Sequence, residues 1–285
     1  MNRRQFLKNT LGSLLAFVGI SGGTYYYSRN IEPSLLKITE ETISSPKIHP
    51  SFNNFKIIQF SDTHVGFHYS LNQLEELAIK INSLKPDLIL FTGDLVDEPD
   101  HYNWDPGLGS ILKSMSATHG KYWIYGNHDH GGYGTEIVQE VMQQSDFHLL
   151  QNSSVSIEME NNKITLAGID DVMLGTPDLE KALQNNDPES FTMLMAHEPD
   201  YADRASQYPI DVQFSGHSHG GQIRLPFIGD LYTPAFAEKY VQGKYNLNEQ
   251  KLVLYVNSGI GTTRLPYRFL CKPEIHLYTL QSYLS

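Results

Sequence analysis

A single cysteine, Cys271, in 285 residues excludes an intrachain disulfide and any zinc site built on thiolates. Positive charge is also scarce. Lys and Arg number 21 against 32 Asp and Glu, giving a formal net charge of −11 and a pI near 5.5. Phosphate backbones are gripped by Lys/Arg-rich faces, so no nucleic-acid-binding face is expected. No internal repeat and no low-complexity tract interrupts the chain, and 40% hydrophobic with 19% charged residues excludes a disordered polymer. The length suits one large domain or two modest ones. A helical His-Glu-x-x-His zinc-protease motif is missing, because Pro199 follows His197-Glu198 and no second histidine completes it. What the chain does have is twelve histidines, and their positions decide the reading.

The first thirty residues read as an address. Arg3-Arg4-Gln5-Phe6-Leu7-Lys8 precedes an uncharged apolar stretch from Leu11 to Ile20, the layout of a secretory signal. The paired arginines resemble a twin-arginine signal, which implies the twin-arginine export machinery as a partner. Asn2 departs from the Ser or Thr usual before that pair. No Ala-x-Ala site follows, and the uncharged stretch continues to Tyr27, so a cleaved signal and a retained membrane anchor are both open. A short amphipathic or buried N-terminal helix is the structural alternative. The tyrosines at 25–27 suit a membrane interface or a solvated linker. Residues 31–53, polar and with Pro33, Pro46 and Pro50, read as a linker or an early edge segment, leaving 54–285 as one domain.

Within that domain, strands are expected at 55–60, 87–91, 121–125, 191–196, 212–214 and 252–256. A hairpin is expected at 155–167 around Asn161-Asn162. Ser70 and Gln73 form a capping box for a helix that Lys85-Pro86 ends. A second helix runs through Ile137, Val141 and Met142, and a short one begins at Pro177 after Thr176. Mixed strands with crossover helices indicate an α/β layered fold, and this order alone fits a doubly wound sheet equally well. Five times an apolar strand stops at Gly or Ser beside Asp, Asn or His, at Ser61-Asp62-x-His64, Gly93-Asp94, Gly126-Asn127-His128-Asp129, Gly216-His217-x-His219 and Asn257-Ser258, and another strand stops at His197. Sites in open α/β sheets lie beyond the carboxyl ends of strands, so these loops are candidates to converge. Glycines at 93, 126 and 216 would permit sharp turns or close approach.

Imidazoles, carboxylates and an amide oxygen with no thiolate suit Mn²⁺, Fe or Zn²⁺. Seven candidate ligands exceed the four of one tetrahedral zinc and suggest two divalent ions. The ordered set Asp62-x-His64, Gly93-Asp94, Gly126-Asn127-His128-Asp129, His197 and Gly216-His217-x-His219 resembles the calcineurin-like metallophosphoesterase family. The later Gly259-Ile260-Gly261-Thr262-Thr263 run through Glu274 resembles its exported bacterial branch.

The resemblance implies a β-sandwich of two mixed sheets flanked by helices. It implies one metal on Asp62, His64 and His219, a second on Asn127, His197 and His217, and Asp94 bridging. His128 would protonate the leaving group, and Asp129 would orient His128. The implied activity is phosphoester hydrolysis by a bridging hydroxide, on phosphodiesters or phosphomonoesters, in the cell envelope outside the cytoplasmic membrane. Membrane or cell-wall association would follow. A lipid-linked pyrophosphate such as UDP-diacylglucosamine is the alternative substrate, and a non-catalytic envelope-binding protein the alternative class. Asp97, Asp170 and Asp171 are expected to support ligands or sit in turns. His68 and His130 are expected at the surface or against substrate. His49, His101, His119, His148 and His276 are read as ordinary. Arg264 and Arg268 stand between holding a second phosphate or head group and forming surface salt bridges.

Overall fold

A computed structural model describes residues 2–130, 135–249 and 251–283. In chain order the strands begin with β1 (Lys37–Ser45), β2 (Lys56–Phe60), β3 (Leu88–Phe91), β4 (Lys121–Trp123) and β5 (Phe147–Leu149). They continue with β6 (Ser153–Met159), β7 (Asn162–Gly168), β8 (Thr192–Met195) and β9 (Val212–Ser215). The short β10 (Arg224–Leu225) and β11 (Gly229–Asp230) precede β12 (Gly243–Leu247), β13 (Leu252–Val256) and β14 (Glu274–Ser282). The α-helices are α1 (Arg3–Tyr26), α2 (Leu71–Leu84), α3 (Pro106–Ser114), α4 (Asn127–His130), α5 (Glu136–Gln144), α6 (Leu179–Ala182) and α7 (Ala202–Ala205).

Two six-stranded mixed sheets result, ordered β1-β14-β2-β3-β4-β5 and β12-β13-β9-β8-β7-β6. Strict alternation assigns the faces. Ile57, Leu88, Leu90, Met193 and Met195 point into the layer between the sheets, with Phe214, Tyr255 and Tyr278. Their neighbours Ile58, Ile89 and Phe91 face outward under α2, α3 and α5, while Leu194 and Ala196 face α6 and α7. Strands covered on both sides need apolar residues at every position, which is why 88–91 reads as an unbroken hydrophobic run. This sandwich flanked by helices is the expected architecture; a single doubly wound sheet is not formed.

Local chemistry explains the element ends. Ser70 Oγ accepts the Gln73 amide at 3.4 Å and Gln73 Oε1 accepts the Ser70 amide at 2.9 Å, so α2 starts on a complete capping box. Lys85 turns left-handed at φ 53° ahead of Pro86 and ends it. The β6–β7 turn falls on Glu160-Asn161, both at positive φ, with Met159 opposite Asn162. It is therefore one residue earlier than expected. Helix α6 starts at Leu179 behind the N-cap Asp178, whose carboxylate accepts the Lys181 amide at 2.9 Å. The Thr176/Pro177 start is thus corrected by a better side-chain acceptor.

Residues 31–53 are not a linker. Strand β1 pairs in parallel with β14 over nine residues, from Lys37↔Glu274 to Ser45↔Ser282. Glu32 is buried and accepts the amides of Leu270 and Cys271 at 3.0 and 2.5 Å. The edge-segment reading holds, and the folded unit extends back past residue 54. The apolar side chains of α1 stand exposed. Among the described residues no helix is long and apolar enough to cross a membrane.

Candidate metal centre

Every candidate ligand lies just past the end of a central strand: Asp62 and His64 after β2, Asp94 after β3, Asn127 after β4, His197 after β8, and His217 and His219 after β9. Strands β2, β3 and β4 run parallel in one sheet and β8 and β9 in the other, so both sheets deliver their loops to one end of the sandwich. Asp62, His64, Asp94, His217 and His219 all hold positive φ, between 42° and 66°. Non-glycine residues there cost about 1–3 kcal/mol each, and such strain gathers at functional sites. Gly93 takes φ 100°, and a Cβ on Gly216 would sit 2.0 Å from Ser61 Oγ and 2.4 Å from Asp62 Oδ2. Only glycine admits that approach.

Two clusters of buried donors form: Asp62, His64 and His219, and Asp94, His197 and His217, with the donor atoms of each cluster within 4.8 Å of one another. Asp94 Oδ2 lies 3.3 Å from His197 Nε2 and 3.5 Å from His64 Nε2, between the clusters. His64 Nε2 faces His219 Nε2 at 3.0 Å, and His197 Nε2 faces His217 Nδ1 at 3.2 Å. Asn127 Oδ1 is buried without a hydrogen-bond partner. A buried acceptor so left costs about 1–3 kcal/mol, and a cation would satisfy it. The donor set therefore fits divalent metal.

The far ring nitrogens are anchored. His64 Nδ1 lies 2.8 Å from Asp97 Oδ1, His197 Nδ1 is 2.5 Å from the Thr92 carbonyl, and His217 Nε2 is 2.9 Å from the Ala235 carbonyl. Such contacts fix which nitrogen carries the proton and leave the other free to ligate. Burial alone would raise the Asp94 carboxyl, but His197, His128 and His64 outweigh it and hold it well below the usual range. Burial and the neighbouring His197 push His217 down to about 3, so it stays neutral and able to ligate.

His128 is not in either cluster; its ring meets His64 edge-on at 4.6 Å and it lines a cavity of about 550 Å³. Its Nδ1 is 2.6 Å from the Asp97 carbonyl, so Asp97, rather than Asp129, orients it. Asp129 instead accepts the amides of Asp94, Leu95 and Gly126 at 2.7, 2.9 and 3.0 Å. His130 is half-buried with Nε2 2.8 Å from Asp170 Oδ1. Arg268 is fully buried, its guanidinium donating to the carbonyls of Ser258, Gly259, Gly261 and Cys271. Neither expected role fits it. Arg264 stacks over Tyr232 at 4.9 Å on the cavity wall. Ala235, Ile223, Leu231 and Leu265 also shape this site, and no motif marks them because they contribute a carbonyl or a wall.

Residues 55–221 match the calcineurin-like phosphoesterase family. The uncharacterized metallophosphoesterase YkuE of Bacillus subtilis is 44% identical over 99% of this chain and 98% of that protein. The UDP-2,3-diacylglucosamine pyrophosphatase LpxG of Chlamydia muridarum is 28% identical over 92% of this chain and 94% of its own length. Phosphodiesterase YaeI of Escherichia coli is 27% identical over 98% and 99%. Among solved structures, the NAD nucleotidase NadN of Haemophilus influenzae superposes with a TM-score of 0.50 at 14% identity. It covers 72% of this chain and 50% of that one, a likeness of fold alone. With the family match spanning more than half of its residues, and a relative 44% identical along nearly its whole length, this chain belongs to the calcineurin-like phosphoesterases, hydrolases of phosphoester bonds.

Proposed function

We propose that the chain is an exported phosphoesterase that works with two divalent ions, Mn, Fe or Zn, on phosphodiesters or phosphomonoesters outside the cytoplasmic membrane. One observation carries the two-metal reading: two buried donor clusters share Asp94 between them, beside a buried Asn127 Oδ1 that lacks any protein partner. Asp62, His64 and His219 would hold one ion, Asn127, His197 and His217 the other, and Asp94 both. Bound there, the pair would polarise a phosphoryl oxygen and lower the pKa of water towards about 7, making hydroxide available at neutral pH.

The chain's own residues supply the rest. His128 Nδ1–H donates to the Asp97 carbonyl, which leaves Nε2 directed to the cavity as the proton donor for the leaving oxygen. Burial opposes its protonation, yet Asp94 and the Asp97 carbonyl overcome this and hold its pKa above the ordinary histidine value. His128 also donates its own amide to Asp94 Oδ1 at 2.8 Å, so the acid and the bridging carboxylate are positioned by one contact. Apolar walls from Ile223, Leu231 and Leu265 limit water around the reacting group. Export is supported by Arg3-Arg4 ahead of an uncharged stretch reaching Ser28.

The test is hydrolysis of bis-p-nitrophenyl phosphate and p-nitrophenyl phosphate by the full chain, after chelation and after return of Mn²⁺ or Zn²⁺. Turnover should vanish, return, and fall more than about 100-fold in Asp94→Ala. Metal retention without turnover on any phosphoester would instead favour the envelope-binding alternative. A second reading, cleavage of a lipid-linked pyrophosphate, is supported by the 28% identity to LpxG across nearly the whole chain. Faster cleavage of such a pyrophosphate than of soluble diesters would select it.

A further inference from the structure

The hairpin β10–β11 pairs through only Arg224↔Asp230 and Leu225↔Gly229, and it presents Pro226-Phe227-Ile228 at its tip. Phe227 is 109% exposed and Ile228 71%. Leu231, Tyr232, Leu265 and Leu270 are each more than half exposed around them. The segment Arg224-Leu225-Pro226-Phe227 recurs as Arg264-Leu265-Pro266-Tyr267, so the face carries two cation–apolar–aromatic turns. Scattered single apolar residues are ordinary on a surface, whereas a gathered set marks an interaction site.

This face is tied to the base of α1. Ile223 bridges Phe269, and the Arg224 amide donates to the Phe269 carbonyl at 2.9 Å. Phe269 meets Tyr27 edge-on at 6.4 Å, Tyr267 packs on Tyr25 at 5.6 Å, and the Arg268 amide donates to the Ser28 carbonyl at 2.9 Å. From Asn9 to Ser28 the chain carries no charge, so the uncharged helix leaves the body beside the apolar hairpin. Charge here runs against the whole molecule. Residues 222–233 and 260–273 contain one acid, Asp230, already paired with Arg224 at 3.4 Å. Arg264, Lys272 and Arg29 lie in or beside the same segments in a chain of net charge −11.

We infer that this face docks on an anionic lipid surface, with Phe227 and Ile228 entering the acyl boundary and the flanking cations at the head groups. An apolar tip edged by Lys and Arg is the pattern of interfacial membrane binding, and each cation near an anionic leaflet adds attraction. Ile223, Leu231, Tyr232 and Leu265 belong both to this face and to the cavity over Asp94 and His128, so docking turns the cavity mouth towards the lipid.

The experiment uses the full chain with Phe227→Trp against phosphatidylcholine vesicles containing phosphatidylglycerol, some with brominated acyl chains. The new indole should shift to the blue and be quenched by bromine, beyond any change from native Trp104 and Trp123. The pair Phe227→Ser with Ile228→Ser should weaken vesicle partitioning by at least about tenfold, since two large apolar side chains no longer leave water. Its thermal unfolding should be unchanged. Three results would overturn the inference: no sedimentation with vesicles, sedimentation through α1 with the indole at 227 still in water, or a concentration-dependent blue shift without lipid at the mass of a dimer. The last would assign the face to a second copy of the chain.

Discussion

Asp129 holds the backbone of Asp94: its Oδ2 accepts the Asp94 amide at 2.7 Å across 35 residues of sequence. The same carboxylate takes the amides of Leu95 and Gly126, so the β3 and β4 loops are joined beneath the candidate ligands by one buried side chain. Burial and the neighbouring Asp94 push its carboxyl up to about 7, against the pull of those three donors.

Replacing that carboxyl strands three buried N–H groups. Asp129→Ala should cost about 3 kcal/mol or more in denaturant unfolding, at roughly 1–3 kcal/mol for each donor left unpaired. An unfolding midpoint within error of the parent would show that water fills the role instead.

Asp97 acts on two histidines at once, through its carboxylate at His64 Nδ1 and its carbonyl at His128 Nδ1. Asp97→Asn keeps the carbonyl and the volume but presents a neutral group to His64. Metal affinity should fall about 10–100-fold, read by competition with a chromogenic chelator. The orientation of His128 should survive, so metal-saturated turnover should recover most of the loss.

Arg268 gathers the carbonyls of Ser258, Gly259, Gly261 and Cys271 around a planar cation. A lysine has three donors on one point and does not reproduce this fork. Arg268→Lys should therefore destabilise almost as much as Arg268→Ala, by about 3 kcal/mol. Substantial rescue by lysine in thermal melts would reduce the role of Arg268 to charge alone.

Glu274 joins three elements: Thr39 of β1, the amide and hydroxyl of Ser258, and His276 at 3.3 Å. Burial alone would raise its carboxyl, but His276 and Ser258 hold it well below the usual range. The folded state thus binds this proton more weakly than the unfolded chain. Its stabilisation is complete above about pH 4.5 and drains away as pH falls through the acid range. Glu274→Gln should cost about 3 kcal/mol at neutral pH, with the gap to the parent narrowing on acidification. A gap constant from pH 7 to the acid limit would contradict this linkage.

The candidate loops are legible because each strand ends at Asp, Asn or His, several of them beside glycine, a pattern local enough to read along the chain. The sandwich itself came only through resemblance. A two-layer mixed fold and a doubly wound sheet share the same strand–helix order, and pairings such as β1 with β14 leave no local mark. The role that the resemblance implies for Asp129 fails for a physical reason: the chain turns its carboxyl to the backbone amides of Asp94, Leu95 and Gly126 instead of to the His128 ring. Arg268 looked like a surface group because its acceptors are carbonyls, which sequence never reveals. Ala235 escaped for the same reason, since any residue type could offer that oxygen to His217.

The parallel pairing of β1 with β14 also sets an order of events during synthesis. Strand β14 lies between β1 and β2, so neither can be joined to the other until residues 274–282 have been made. Until then β2, apolar on both faces, is an open sheet edge, the kind of surface on which nascent chains associate wrongly. The first sheet is therefore completed only once β14 has emerged, and the interval before that is when a chaperone would matter most.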